Sequence, residues 1–430
     1  MNGSSAQWAQ WFEALRIRER AAYEAAELPQ ANDTRWRFSD KAELEPPSDI
    51  DAASASEPSE EILSLASERA NLVRRPLARI VFVDNRLAAF DPLPEEWAKK
   101  GAHFMPLSRA VREIPALAAP LLFQSVHTLG ADKFLHWHRA GALEGVFLHI
   151  PKGVELPGDL AVIHFAHTSH AALRPHTLCQ LEENASARLA EIGLSIGDNP
   201  AYVGSESETF LGTGAKFDRR SIQFFNTNTR CVRQESAILG AGAAFSALSM
   251  LLGASLDRHE SAVRLAGEGA QARLFSVGAA DKGQCFDQRT FQDHLAPNTT
   301  SDLLYKNGVF GGARTVFAGM IDVKPKAQGT QGYQSNRNLL MHPQARAYSL
   351  PGLEIGANDV KCSHGATDGP IDSEQLFYLR CRGIPEQQAK AMLLEGFLAE
   401  VVDRAGERSL RDLMLASLAA KLEACAHDGQ

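Results

Sequence analysis

Long apolar runs, basic clusters and an ordered set of cysteines are all scarce in this 430-residue sequence. No run approaches the ~20 apolar residues of a membrane-spanning helix, so no membrane role is expected. The opening residues Met1 to Trp8 lack a basic stretch followed by an apolar one, so they do not read as a secretory signal. Lys and Arg number 44 against 52 Asp and Glu, a formal net charge of −8. That acidic balance disfavours generic binding to nucleic-acid phosphates, which reward clustered cations. Six cysteines, scattered over a chain this long, are too few for a disulfide framework and fit a reducing compartment. The expectation is a cytoplasmic protein with neither a nucleic-acid nor a membrane partner. The chain is long enough to bury a core without disulfides or metals.

Recognisable catalytic motifs are missing too. Gly212-Thr-Gly-Ala-Lys216 looks like part of a phosphate loop, but it lacks the four-residue spacer before Gly-Lys and the following Ser or Thr. Gly240-Ala-Gly-Ala-Ala-Phe245 lacks the third glycine of a dinucleotide loop. Neither a GxSxG elbow nor an HExxH helix occurs. No ATP site and no enzyme activity are expected of this chain.

What is present falls into three regions. Residues 1–112 are expected to be mainly helical, starting with a helix that carries Trp8, Trp11, Phe12 and Leu15 and stops by Pro29. They include an acidic, Pro- and Ser-rich linker over 45–61, which has little to bury. Arg79-Ile-Val-Phe-Val83 before Asp84-Asn85 is strand-like. Residues 113–350 are dominated by short segments of alternating polarity punctuated by Gly, Pro and Asn, the pattern of many short strands. A turn residue followed by a small one recurs at Asn184-Ala185, Gly214-Ala215, Gly242-Ala243, Gly269-Ala270, Asn298-Thr299 and Lys326-Ala327. A period of about 28 residues marks a solenoid of strands, because one coil cannot bury its inward face alone. Residues 351–430 return to helix. There Ala389, Leu393, Phe397 and Val401 form one stripe, broadened by Leu394, Leu398 and Val402. A second helix starts near Ser409.

Two groups of residues suggest metal chemistry. Eight of the histidines lie between His127 and His176, but spacings of three alternate faces on a strand and no Cys lies among them. The expected reading is packed or solvated histidine. Asp359-Val-Lys-Cys362-Ser-His364-Gly-Ala-Thr367 instead sets a thiol and an imidazole two residues apart, on one side of an extended backbone. Such ligands suit iron, iron–sulfur clusters and zinc. Two ligands are half a site, leaving the remainder to another chain.

The stretch YKNGVFGGARTVFAGMIDVKPKAQGTQGYQSNRNLLM (Tyr305 to Met341), with LEIGANDVKCSHGAT and DSEQLFYLRCRGIP after it, closely resembles the SufB/SufD family of iron–sulfur cluster assembly scaffolds. HIPKGVEL near His149 and LPQANDTRWRFSD (Leu28 to Asp40) extend the likeness more weakly. The absence of a cysteine between Cys285 and Cys362, and the Ser363-His364-Gly365 reading, resemble the SufD branch. The resemblance implies a right-handed parallel β-helix flanked by helical terminal regions. It implies pairing with a SufB-like paralogue through the last coils, and docking of the SufC-like ATPase on the C-terminal helices, with Leu393, Phe397 and Val401 as contact residues. A transient iron–sulfur cluster would be shared with SufB, His364 acting as a ligand and Cys362 beside it. The resemblance also allows a reduced flavin in the complex, and a homodimer when the chain is isolated. Two further readings are a homodimeric scaffold acting without SufB and a β-helix enzyme acting on polysaccharide.

Overall fold

The computed structural model describes residues 10–30, 32–39, 41–48, 57–125, 127–142, 144–404 and 410–427. Trp8, most of the acidic linker and Ser409 therefore lie outside the described residues. The N-terminal region holds α1 (Gln10–Ala25), α2 (Glu60–Arg69) and the antiparallel hairpin β1 (Ala78–Val83) and β2 (Arg86–Asp91). Asp84 and Asn85 turn that hairpin at φ +46° and +64°, a left-handed geometry that Asp and Asn tolerate. Then come α3 (Glu95–Ala98), β3 (His103–Pro106), α4 (Leu107–Glu113), α5 (Pro115–Ala118) and α6 (Asp132–Gly141).

The coils follow. They comprise β4 (Gly145–Ile150), β5 (Glu155–Ala166), β6 (Ala171–Leu173), β7 (His176–Leu181), β8 (Ser186–Ser195) and β9 (Ala201–Leu211). Next are β10 (Lys216–Phe224), β11 (Arg230–Leu239), β12 (Ala244–Leu251), β13 (Leu256–Leu265), β14 (Gln271–Ala280) and β15 (Cys285–His294). The last are β16 (Thr300–Val309), β17 (Arg314–Val323), β18 (Thr330–Leu340), β19 (Arg346–Ile355) and β20 (Val360–Gly369). Three helices close the chain: α7 (Ser373–Cys381), α8 (Glu386–Arg404) and α9 (Arg411–His427).

Alternate strands stack in parallel into two sheets. One runs β2-β1-β5-β8-β10-β12-β14-β16-β18-β20, the other β19-β17-β15-β13-β11-β9-β7-β4-β3. The result is a mainly β solenoid of about eight turns with helices at both ends. The repeated turns explain the spacing. Asn184, Gly214, Gly242, Gly269 and Asn298 all have φ between +56° and +71°. Each donates its backbone N–H to a carbonyl of the next coil's turn. The small residue after each is fully buried, so a larger side chain would push neighbouring coils apart. The sixth repeat differs from its sequence expectation. Lys326 is not left-handed; Gly329, at φ +74°, takes the place in the stack and receives no side chain there because the Asn298 amide lies 2.4 Å from where a Cβ would stand.

Two boundaries also differ from expectation. The coils extend through β20 to Gly369 rather than ending at 350, and β1 joins the first sheet by pairing in parallel with β5. Local sequence cannot show either, because each strand is fixed by a partner tens of residues away.

Inside the solenoid, Leu160, Leu189, Phe217, Leu239, Leu265, Leu303 and Phe317 share an apolar core. The same inward-facing rows also carry charge. Glu191, Arg219, Arg233, Glu235, Asp257 and His259 are all buried or nearly so and pair with one another. The outer face of the first sheet is covered by α2, α8 and α9. The second sheet is covered by α1, α6 and the segment through Trp36. Arg258, fully buried, stacks on the Trp36 ring at 3.6 Å and binds Asp287 at 2.7 Å. No helix among the described residues is long and apolar enough to cross a membrane.

Candidate functional site

The solenoid ends abruptly. Strand β20 is the last member of its sheet and β19 the last of the other, so each presents one unpaired edge. Register with β18 fixes which way β20 side chains point. Gly332, Gln334, Asn336 and Asn338 alternate as the buried residues of β18, and they stand beside Cys362, His364, Ala366 and Asp368. The thiol and imidazole thus lie on the inward side of the last coil, where no further coil covers them. His364 is exposed and Cys362 half-buried.

Their surroundings differ. Cys362 packs beside Ile321, Val323 and Leu353, with its Sγ over Gly332, where a Cβ would come within 3.3 Å. Burial pushes its thiol up from the ordinary value, a bond from the Gly332 backbone opposing the shift. A raised thiol is a poorer nucleophile and a poorer ligand at neutral pH. No hydrogen bond or ion pair among the described residues holds His364. Its imidazole keeps its metal-binding nitrogens available.

A polar ladder anchors the coil beneath them. Gln288 donates to Ser276 Oγ at 2.7 Å, Asn307 to Gln288 at 3.1 Å and to Asn338 at 2.7 Å. Asn338 donates in turn to Asp368 Oδ1 at 2.6 Å, and Ser349 to the same oxygen at 3.0 Å. These donations tie one buried amide to another across successive coils and hold the last two strands in register, with Asn307 Oδ1 left without a partner.

The α8 stripe lies elsewhere, against β14 and β16. Val401 is fully buried there along with Leu394 and Leu398. Leu393 and Phe397 are half-buried. Lys306 donates to the Phe397 carbonyl at 3.0 Å and to Glu400 at 2.6 Å, with its Nζ 4.2 Å from the Phe397 ring. The expectation that Leu393, Phe397 and Val401 face a partner is revised on Val401, which the chain covers by itself. The periodicity marks a buried face, and it cannot tell an intramolecular neighbour from a foreign one. The exposed apolar residues of this region are Phe377 at 67%, Tyr378 at 56% and Met392 at 46%. A groove of about 520 Å³ opens nearby, lined by Met341, Pro343, Ile371, Leu376 and Lys390 among others. The run Leu376-Phe-Tyr-Leu379 was its sequence signal, since four consecutive apolar residues cannot share one helix face.

Several histidines of 127–176 sit against carboxylates that the fold brings from other elements. His164 meets Glu191 at 3.3 Å, His149 meets Glu182 at 3.0 Å, and His127 and His176 meet Glu206 at 3.2 and 3.6 Å. Packed histidine is the observed state of His138, His164 and His176, and the acids that sequence spacing failed to supply arrive through the fold.

Residues 164–397 match the family model described as SUF system FeS cluster assembly, SufBD core domain. The iron–sulfur cluster assembly protein SufD of Escherichia coli is 32% identical over 68% of this chain and 70% of its own length. An iron–sulfur cluster assembly SufBD family protein of Synechocystis is 28% identical over 93% of the chain and 86% of its own. The assembly protein SufB of Bacillus subtilis is 27% identical over 62% and 58%.

Proposed function

The chain belongs to the SufBD core family of the SUF iron–sulfur cluster assembly system, and on that premise we propose that it is a SufD-type scaffold subunit without catalytic activity of its own. The observation that carries the reading is the open last coil, where an exposed imidazole and a half-buried thiol share one side of an edge strand. A SufB-type paralogue would add its own last coil to the β19 and β20 edges, where unpaired backbone groups invite pairing. That paralogue would supply the thiols, and His364 would complete the shell around iron and sulfide, which are the cargo. A neutral imidazole adds no negative charge, so a cluster held partly by His364 is less firmly retained than one held by thiolates alone. Cys362 has a lesser part in this scheme because burial keeps its thiol protonated.

A SufC-type ATPase would dock on the C-terminal helices through Phe377, Tyr378 and Met392, the apolar surface this chain leaves uncovered. Its dimerisation on ATP would pull on those helices and open the seam. A homodimer of this chain is the second reading, since the same raw edges can pair with themselves. Size-exclusion chromatography of the chain alone and with both partners separates the two.

The test is His364→Ala, co-expressed with the paralogue and the ATPase. The complex is expected to assemble and to fail at building clusters, measured as iron and acid-labile sulfide per complex. A normal cluster yield would reject the assignment of His364.

A further inference from the structure

A second cluster of metal-binding side chains lies far from the open coil in sequence and fully inside the protein. His138 comes from α6, His176 from β7 and Glu206 from β9, and all three are buried, with relative exposures of 1%, 0% and 1%. Their facing atoms form a triangle. His138 Nε2 and His176 Nδ1 are 3.1 Å apart, His176 Nδ1 and Glu206 Oε2 3.6 Å, and His138 Nε2 and the same oxygen 4.0 Å. The centre of such a triangle is about 2.1 Å from each corner, the length of a zinc–imidazole or zinc–carboxylate bond. A close pair of hydrogen-bonded rings alone would not set the carboxylate oxygen at that third corner.

Proton placement makes the same point. His138 Nδ1 faces the Gly204 carbonyl at 2.8 Å, and a carbonyl only accepts, so Nδ1 carries the proton. A neutral imidazole carries no second proton. Its Nε2 therefore offers a lone pair. If His176 Nδ1 donates to that lone pair, a neutral His176 has a second lone pair on Nε2. That atom has no hydrogen-bond partner, and Glu208 Oε2, another acceptor, stands 3.2 Å away. Glu208 itself is fixed by the backbone N–H groups of Phe123 and Ser125, each at 2.7 Å. A cation in the triangle removes the conflict. It takes the place of the Nδ1 proton, and His176 can then carry its proton on Nε2, toward Glu208. A carbonyl-backed imidazole such as His138 is a usual second layer of metal sites.

Charge counts in the same direction. Glu206 and Glu208 are fully buried acids, and Arg139 is the cation that meets them, with its Nε 2.8 Å from Glu206 Oε2 and its other arm on Oε1. With neutral rings the group buries one negative charge too many, which is costly in a dry interior. The oxygen Oε2 has a second lone pair beside the one Arg139 uses, so the guanidinium and a metal can share the carboxylate. Ser125 and His127 contact the other oxygen, Oε1, at 2.8 and 3.2 Å.

We propose that His138 Nε2, His176 Nδ1 and Glu206 Oε2 bind a divalent metal ion of the zinc or ferrous kind, and that this ion pins α6 to the first coils. Two imidazoles and a carboxylate suit those ions. With no solvent-exposed ligand, the role is structural. The site is distinct from the cargo site, shares no residue with it, and stands or falls independently of the proposed function.

The experiment uses the full chain carrying Cys362→Ser and His364→Ala, stripped with chelator and titrated with Co²⁺ as a visible probe. About one Co²⁺ per chain is expected, displaced by Zn²⁺, with d–d bands and no thiolate charge-transfer band. His138→Asn in the same background should bring bound metal to about zero. Binding unchanged by His138→Asn, or none in the parent, overturns the proposal. Should the His138 variant fail to fold, X-ray absorption of the Zn²⁺-loaded parent decides. Imidazole nitrogen and carboxylate oxygen without sulfur supports the site, and a sulfur or all-water shell refutes it.

Discussion

Replacing Arg219 with Met tests whether the charges inside the solenoid are held in place by one another. Arg219 lies between two inward-facing acids, with Nη2 2.8 Å from Glu191 and Nη1 against Glu235. Burial alone would raise both carboxyls, yet the Arg219 guanidinium, with His164 beside Glu191, holds Glu191 down at about 2 and Glu235 lower still. A folded value depressed from 4.5 to about 2 corresponds to roughly 3 kcal/mol of stability from Glu191. That contribution is complete above the ordinary carboxylate range and is lost as pH falls through 4.5 toward 2. Met has a similar volume, so Arg219→Met leaves little cavity and two acids without their cation. At pH 7 the cost should be about 3–5 kcal/mol, the penalty of breaking a buried pair from one side. The pH dependence should change sign. Burial then dominates, the two carboxyls protonate readily, and the variant recovers stability on acidification from pH 7 to 5 while the parent does not. His164 and His259 stand 3.3 and 3.2 Å from the two acids. Because a solenoid opens locally, hydrogen exchange on β8 to β11 is the assay, alongside urea unfolding. Adding Glu191→Gln and Glu235→Gln should restore more than half of the loss. A cost below ~1 kcal/mol, or a variant that keeps the parent's pH slope, refutes the reasoning.

The other predictions concern the C-terminal helices. Gly308 faces α8 so closely that a Cβ would come 2.9 Å from Leu394 Cδ1. Gly308→Val should therefore cost about 1–3 kcal/mol through overpacking and speed proteolytic release of α8 and α9; unchanged protease resistance would refute the close packing. Tyr378→Asp with Met392→Asp should abolish co-purification of the ATPase without moving the melting temperature. Phe397→Asp should lower both, because it sets an acid beneath α8 and displaces the ring that Lys306 lies against. Equal melting temperatures for the two variants would show that Phe397 is not part of the chain's own packing.

The sequence by itself determined the solenoid, because its signal is local and repeated. A tight turn demands Asn or Gly at positive φ, the next residue must be small to let coils stack, and that phrase returned at every coil up to Asn298. It also placed Cys362 and His364 on one side of a strand, since alternation along an extended backbone needs no partner to be read. The length of β20 and the identity of the last coil were not legible. They depend on pairing with β18, whose residues are separated from it by a whole coil, and nothing local distinguishes a terminal strand from an internal one. The stripe of Leu393, Phe397 and Val401 was visible as a face that must be covered, but only packing against β14 and β16 decided what covers it. The interior was the least readable part. Strands such as Arg230–Leu239 send Arg233 and Glu235 inward with Ala237 and Leu239, so hydrophobic alternation gives no inner face. Their charges are tolerable only because Arg219 and Asp257 arrive from neighbouring strands. The same holds for His138, His176 and Glu206, which are spaced in sequence without any ligand pattern. The stacking of β7 on β9 under α6 makes them neighbours, and burial away from water gives their meeting its chemical consequence.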